Sequence, residues 1–177
     1  QLRSGETLRY ERTFTLPQGF RRDRVLLHFG AVDQCCRVLV NGQEAGRHEG
    51  GYLPFCLDVT ALLNDGENRL TAVVTDDAAG GVYGMGKQRY QRGGIWYTAT
   101  SGIWQTVWLE SVPENYVKSL RLTPDLDAGV LHWHIEATAA EGARVTVRAG
   151  DTVIAEGRAD ENGDGVSVIP AAHLRPW

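Results

Sequence analysis

Three cysteines, one methionine and no long apolar run are the scarcities that bound this chain of 177 residues. Cys35, Cys36 and Cys56 make an odd set, and adjacent cysteines are badly placed to bridge one another. A disulfide framework is therefore not expected, and a reducing cytoplasm of a bacterial cell is. No second Cys or His pair stands at zinc spacing, so in the strand expected over 34–41 the thiols serve as small core side chains and no metal is expected. No stretch approaches the ~20 apolar residues of a membrane span, and no charged-then-apolar leader opens the chain. The first residue is Gln1, not Met, and the expectation is that an upstream part has been cut away. Blocks of positive charge are lacking too. The formal net charge is −4, and Arg21-Arg22-Asp23-Arg24 and Lys87-Gln88-Arg89-Tyr90-Gln91-Arg92 are short and interrupted. They read as solvated loops, which argues against nucleic acid or an anionic membrane as partner. Helix-length apolar periodicity is missing throughout, and with it any alternation of strand and helix.

What is present is strand after strand. Glu6 to Leu16 alternates, with Leu8, Tyr10, Arg12, Phe14 and Leu16 on one face, and Pro17 ends the ladder. Val25–Phe29 and Cys35–Val40 follow, and Asn41-Gly42 supplies the φ > 0 pair of a two-residue hairpin. Tyr52–Leu57 is interrupted by Pro54, which places it at an edge or a bulge. Asp58 to Leu63 reads as a capped helical turn ended by Gly66, before the strand Asn68–Thr75. A long loop, Asp76 to Arg92, carries four glycines, and long loops in compact domains tend to be functional.

The densest aromatic stretch comes next. Gly93 to Glu110 holds three of the five tryptophans. It begins with a glycine pair, sets Trp96 and Tyr97 before Thr98 to Ser101, and then reads as a strand inside a sheet, with Ile103, Gln105, Val107 and Leu109 on one face and Trp104, Thr106, Trp108 and Glu110 on the other. At Val112-Pro113 the character changes. Tyr116–Leu122, Val130–Ala137, Ala143–Ala149, Thr152–Arg158 and Gly165–Ile169 are short strands at turn-like spacing, the pattern of an immunoglobulin-like sandwich. The expected fold is all-β in two domains, 1–112 and 113–177, the second incomplete.

Ser101-Gly102-Ile103-Trp104-Gln105-Thr106-Val107-Trp108-Leu109-Glu110 resembles the segment near the end of the N-terminal domain of glycoside hydrolase family 2, the β-galactosidase, β-glucuronidase and β-mannosidase group. Leu8 to Pro17, Val38 to Gly46 with Gly50-Gly51-Tyr52-Leu53-Pro54-Phe55, and Asp58 to Asp76 agree with it in order, over roughly the first two-thirds of the chain. His173-Leu174-Arg175-Pro176-Trp177 resembles the start of the stretch by which the family's second domain enters another strand. The resemblance implies a jelly-roll, galactose-binding-like sandwich followed by an immunoglobulin-like one. It also implies a parent that hydrolyses terminal β-linked sugars with retention, a galactoside first, and that is a homo-oligomer without cofactor.

Glycoside hydrolysis needs a pair of carboxyl groups flanking the scissile bond. In the family both are glutamates of a (β/α)₈ barrel, the acid following asparagine. No Asn-Glu dipeptide occurs here, and Glu114-Asn115 and Glu161-Asn162 have the reverse order. No catalytic residue is assigned, and the chain is expected to be inactive alone, supporting a barrel of the same polypeptide.

Two local patterns have blander readings. Gly81 to Lys87 has phosphate-loop spacing, but Gln88 stands where Ser or Thr would hold magnesium. Asp160, Asn162 and Asp164 match the start of a calcium loop whose twelfth position is Ala171, not Glu, and a hairpin turn explains them equally. The substrate-binding candidates are Asp76 and Asp77 at the start of the loop, with Lys87, Gln88, Arg89, Trp96 and Tyr97. They offer hydrogen bonds and a flat apolar platform, a combination suited to a sugar. The family's aspartate before the Gly-Ile element has no counterpart among Gly94, Ile95, Trp96 and Tyr97. Packing of Trp96 and Tyr97 against the barrel is the alternative. Two further readings of the whole chain are an autonomous carbohydrate-binding module and a structural sandwich that recognises another protein.

Overall fold

A computed structural model of the chain describes residues 2, 3, 5–77, 83, 84 and 86–175. The chain falls into two units, Gln1–Val112 and Pro113–Trp177, each with a hydrophobic core of its own. Among the described residues there is no α-helix, and two single 3₁₀ turns interrupt a succession of strands. The all-β expectation holds.

The first unit contains Thr7–Phe14 (β1), Arg24–Phe29 (β2), Val32–Asp33 (β3), Cys35–Val40 (β4), Gln43–Glu49 (β5), Phe55–Asp58 (β6), Asn68–Thr75 (β7), Gln88–Arg89 (β8), Tyr97–Thr98 (β9), Gly102–Ile103 (β10) and Val107–Val112 (β11). One antiparallel sheet runs β1-β7-β4-β5 and another β11-β2-β6, with β10 paired to β3. Period-2 alternation decides which side chains meet. Cys36, Val38 and Val40 of β4 and Ala72 and Val74 of β7 turn inward from the first sheet, while Val25, Leu27 and Phe29 of β2 turn inward from the second. Phe29 is 1% exposed, and burying a side chain of that size is worth about 2–3 kcal/mol. Asn41 and Gly42 take φ of 53° and 82°, joining β4 to β5 by the hairpin expected of this dipeptide. Pro54 precedes β6, which is an edge strand. A cavity of about 530 Å³ opens between the β1 and β11 edges, walled mostly by apolar groups such as Phe14, Leu16, Phe20 and Leu109.

Two local expectations need correction. The tryptophan-rich stretch is not one strand inside a sheet. It breaks between β10 and β11, which join different partners, and β11 lies at the edge of its sheet. Gly102 takes φ of 103°, and the Trp104 indole N–H donates to the carbonyl of Gly51 at 2.8 Å, so Trp104 leaves the ladder for a loop contact. Trp104 and Trp108 remain 53% and 44% exposed, with Ile103, Val107 and Leu109 covering the core. The helical turn is also shorter than expected. It spans Thr60–Leu62 and ends well before Gly66. It also lacks the expected side-chain cap: Val59 stands at the N-cap position, and Asp58 accepts from the Thr60 backbone N–H at 3.0 Å in a local turn just ahead of it, while Asn68 closes the following turn with its buried amide.

The second unit holds Val117–Asp125 (β12), Val130–Ala137 (β13), Arg144–Ala149 (β14), Thr152–Arg158 (β15) and Asp164–Val168 (β16). The sheet β12-β13-β16 and the hairpin β14-β15 meet on Trp133, Ile135 and Ala159. Trp133 is 3% exposed and donates its indole N–H to the Ser167 hydroxyl at 3.1 Å. Its ring lies over Gly157 and Gly165, where an added Cβ would come within 2.8 and 2.2 Å of it. The Asp160 carboxylate accepts from the backbone N–H of Asn162 and of Asp164 at 2.9 Å each, closing the turn that leads from β15 to β16, which belong to different sheets.

Candidate functional site

The loop after β7 is held by backbone hydrogen bonds of its own. β8 and β9 pair in parallel, Gln88 beside Tyr97 and Arg89 beside Thr98, and the Tyr97 N–H donates to the Lys87 carbonyl at 2.7 Å. Gly93 and Gly94, at φ of 144° and 56°, turn the chain so that Gly93 and Trp96 exchange two backbone hydrogen bonds. Of the phosphate-loop-like stretch, Gly81, Val82 and Met85 lie outside the described residues, as do Pro176 and Trp177 of the C-terminal motif.

This folding brings Lys87, Gln88, Arg89, Trp96 and Tyr97 into one cluster but gives them different work. The Arg89 guanidinium lies 4.4 Å from the Trp96 ring centroid, a cation–π contact that occupies one face of the indole. Gln88 turns its side chain toward protein. Its amide oxygen accepts from the Thr100 N–H at 2.6 Å and from the Thr100 hydroxyl at 3.1 Å, and its side chain also hydrogen-bonds Asp33. Asp76 is 6% exposed and accepts from the Ser101 hydroxyl at 2.5 Å. Asp76 and Gln88 are thus occupied in fastening the loop to the sandwich. Asp77 is half-buried. Lys87 and Tyr97 face solvent, as do Arg92 and Ile95, and Tyr97 is 70% exposed. Arg89, Tyr90, Gln91, Arg92 and Trp96 border an open hollow of about 550 Å³.

Beneath this outer layer the charge changes sign. Burial, aided by the neighbouring Asp76 carboxylate, raises the Asp33 carboxyl to about 6, against the opposing hydrogen bond from Gln88. Tyr83 donates to Glu49, which pushes the phenol up to about 12. Acidic groups therefore sit toward the strand ends while Lys87, Arg89 and Arg92 sit outside. Among the described residues, no group of three or more His, Cys, Asp or Glu is placed to hold a metal ion. Among the described residues, no helix is long and apolar enough to cross a membrane.

Sequence reasoning missed Asp33, because nothing in Val32-Asp33-Gln34 marks it and only the topology carries it to the loop. It also left Tyr52 and Trp104 without a role. Their rings stand 6.3 Å apart at 75°, and both are more than half exposed. The Gly50-Gly51 pair ahead of Tyr52 was the available signal.

The sequence profile described as "Glycosyl hydrolases family 2, sugar binding domain" matches residues 3–113. The β-glucuronidase of Felis catus is 28% identical over 189 residues, a span that takes in 93% of this chain and 29% of the relative. A β-galactosidase of Thermoanaerobacter pseudethanolicus is 27% identical over 118 residues. β-Glucuronidases predominate among such relatives. Among solved structures, an uncultured Clostridium β-glucuronidase shares 31% identity and a TM-score of 0.70, over 93% of this chain and 30% of that one. The Ruminococcus gnavus β-glucuronidase in complex with D-glucuronic acid has the same fold, with a TM-score of 0.74 at 24% identity, over 97% of this chain and 31% of that one. The chain spans less than a third of the length of these relatives.

Proposed function

The chain belongs to glycosyl hydrolase family 2 through its sugar-binding domain, and on that footing we propose that it is the N-terminal portion of a longer retaining glycosidase. Its work is to help place a terminal β-linked sugar in a catalytic barrel carried by the rest of the polypeptide. The chain supplies no catalytic glutamate and does not hydrolyse by itself. The first unit is assigned as the jelly-roll, galactose-binding-like sandwich and the second as part of an immunoglobulin-like one. The three thiols are unbridged, which suits a reducing cytoplasm.

The sugar is a glucuronide in preference to the galactoside that the resemblance put first. One observation carries this choice: the loop presents Lys87, Arg89 and Arg92 in a chain whose net charge is −4, and an anionic sugar is drawn to such a surface. The predominance of β-glucuronidases among the relatives agrees with it. Of the seven candidates, Lys87 and Tyr97 are assigned to contact the sugar. Arg89 and Trp96 form the rim. Asp76, Asp77 and Gln88 hold the loop in place.

The test is the longer protein that contains this chain, assayed on p-nitrophenyl β-D-glucuronide and on the corresponding galactoside. A kcat/KM at least tenfold higher on the glucuronide, with Lys87→Ala raising KM for that substrate more than for the galactoside, is the expected result. Preference for the galactoside, or equal effects of Lys87→Ala on both, overturns the assignment of the sugar.

A further inference from the structure

Trp104 and Tyr52 form a corner that the reading above does not use. Trp104 is fixed: its indole N–H donates to the Gly51 carbonyl at 2.8 Å, so the ring cannot turn away although it is 53% exposed. Tyr52 is 54% exposed and stands edge-on to it, the centroids 6.3 Å apart and the planes at 75°. Gly51 itself is buried, and a Cβ there would strike the Asp33 carboxylate at 2.6 Å. The platform is therefore mounted on the same carboxylate that hydrogen-bonds Gln88 of the loop. On its other side Tyr52 lies along the loop backbone. Added Cβ atoms on Gly84 and Gly86 would meet its ring at 3.6 Å and its hydroxyl at 3.4 Å, and Gly86 immediately precedes Lys87.

An aromatic ring locked by its own N–H, with an open face beside a second ring, is built for a flat partner that has one apolar face and a hydroxylated rim. Aromatic area exposed in this way is costly unless something covers it. Trp96 cannot offer both faces, because Arg89 already occupies one. We propose that Trp104 and Tyr52 form a second pyranose subsite, which stacks the sugar ring joined to the terminal residue at Lys87 and Tyr97. Gln105, exposed and next in the chain, supplies an amide to its hydroxyls. This inference rests on the sugar-binding reading of the loop and extends it from one ring to two.

The experiment is calorimetric titration of the 177-residue chain with methyl β-D-glucuronide and with a β-glucuronosyl-glucose disaccharide. It is accompanied by the Trp104 indole N–H signal in ¹H–¹⁵N spectra, assigned by its loss in Trp104→Phe. The disaccharide is expected to bind three- to tenfold more tightly than the monosaccharide, the scale of one ring-stacking contact. The Trp104 signal moves with the disaccharide alone. Trp104→Ala abolishes the gain and Trp104→Phe keeps most of it. Equal affinity for the two ligands, or an unmoved Trp104 signal, overturns the subsite while leaving the loop reading intact. Absence of binding by either ligand to a folded chain also overturns it, whereas the sugar assignment is decided separately by hydrolysis in the longer protein. Self-association that Trp104→Ala removes identifies the corner as a protein interface and sinks the proposal.

Discussion

Asn41 donates its side-chain N–H to the side-chain oxygen of Asn68 at 2.8 Å, and this pair closes one end of the first unit. Asn68 is 1% exposed and uses its whole hydrogen-bonding capacity. Its oxygen also accepts from the Asn64 N–H, and its amide donates to the carbonyls of Asn64 and Gly66. Replacement by Ala leaves several of these groups buried without partners, at about 1–3 kcal/mol for each one that water does not reach. Urea unfolding of Asn68→Ala is expected to show a loss of about 2–4 kcal/mol with little change in slope. A loss below ~0.5 kcal/mol is incompatible with a closed network there.

Asp33 gives stability a specific dependence on pH. Its carboxyl sits at about 6 in the folded chain against 3.8 as the ordinary value, so the folded state holds the proton more tightly. The resulting stabilisation is complete below about pH 4 and is lost as pH rises through about 6. Asp33→Asn keeps an acceptor for Gln88 and removes the charge facing Asp76. The variant is expected to melt higher than the parent at pH 7.5, by a few degrees at most because the site is only partly buried, and to lose the downward slope between pH 4 and 6. A parent melting temperature that rises across that interval while the variant's stays flat contradicts this account.

Gly165 is required by Trp133. An added Cβ would come within 2.2 Å of two ring carbons, in a core of only three fully buried apolar residues among those described. Gly165→Ala must push the indole aside or bend β16, and overpacking of this kind costs roughly 1–3 kcal/mol. Near-UV circular dichroism from Trp133 should weaken, and the hydrogen bond to Ser167 should lengthen or break. Backbone amide signals of β4 and β7 are expected to stay where they are, because their core is separate. Loss of both cores together refutes the independence of the two.

How much of this was legible in the sequence depends on the distance over which each cause acts. β4, β7, β13 and β15 match their expected limits, because period-2 alternation and flanking turn residues are local signals. The break at Trp104 was not legible, since its cause is the Gly51 carbonyl 53 residues earlier. Trp96 looked like an open platform for the same reason: the cation that covers it comes from Arg89, across a turn whose shape only the φ angles of Gly93 and Gly94 define. Asp76 and Gln88 carried the right chemistry for a sugar. Their orientation, toward Ser101 in one case and toward Thr100 and Asp33 in the other, is a tertiary fact.

The three thiols should react in an order set by exposure and charge. Cys56 is exposed, on the outer face of β6 with its sulfur 3.8 Å from His28, whereas Cys36 is 3% exposed in the core. Burial raises both, with Glu110 and Asp58 adding to the shift at Cys56, while Cys36 is pushed up to about 11. Neither is activated, because the thiolate is the reactive form and both are held as thiols. Labelling with 5,5′-dithiobis(2-nitrobenzoate) at pH 8 is therefore expected to be slow at Cys56 and slower at the half-buried Cys35. At Cys36 it should proceed only at the rate of unfolding, with all three reacting quickly in urea. Rapid labelling of Cys36 in the folded chain rules out the closed sandwich core built around β4.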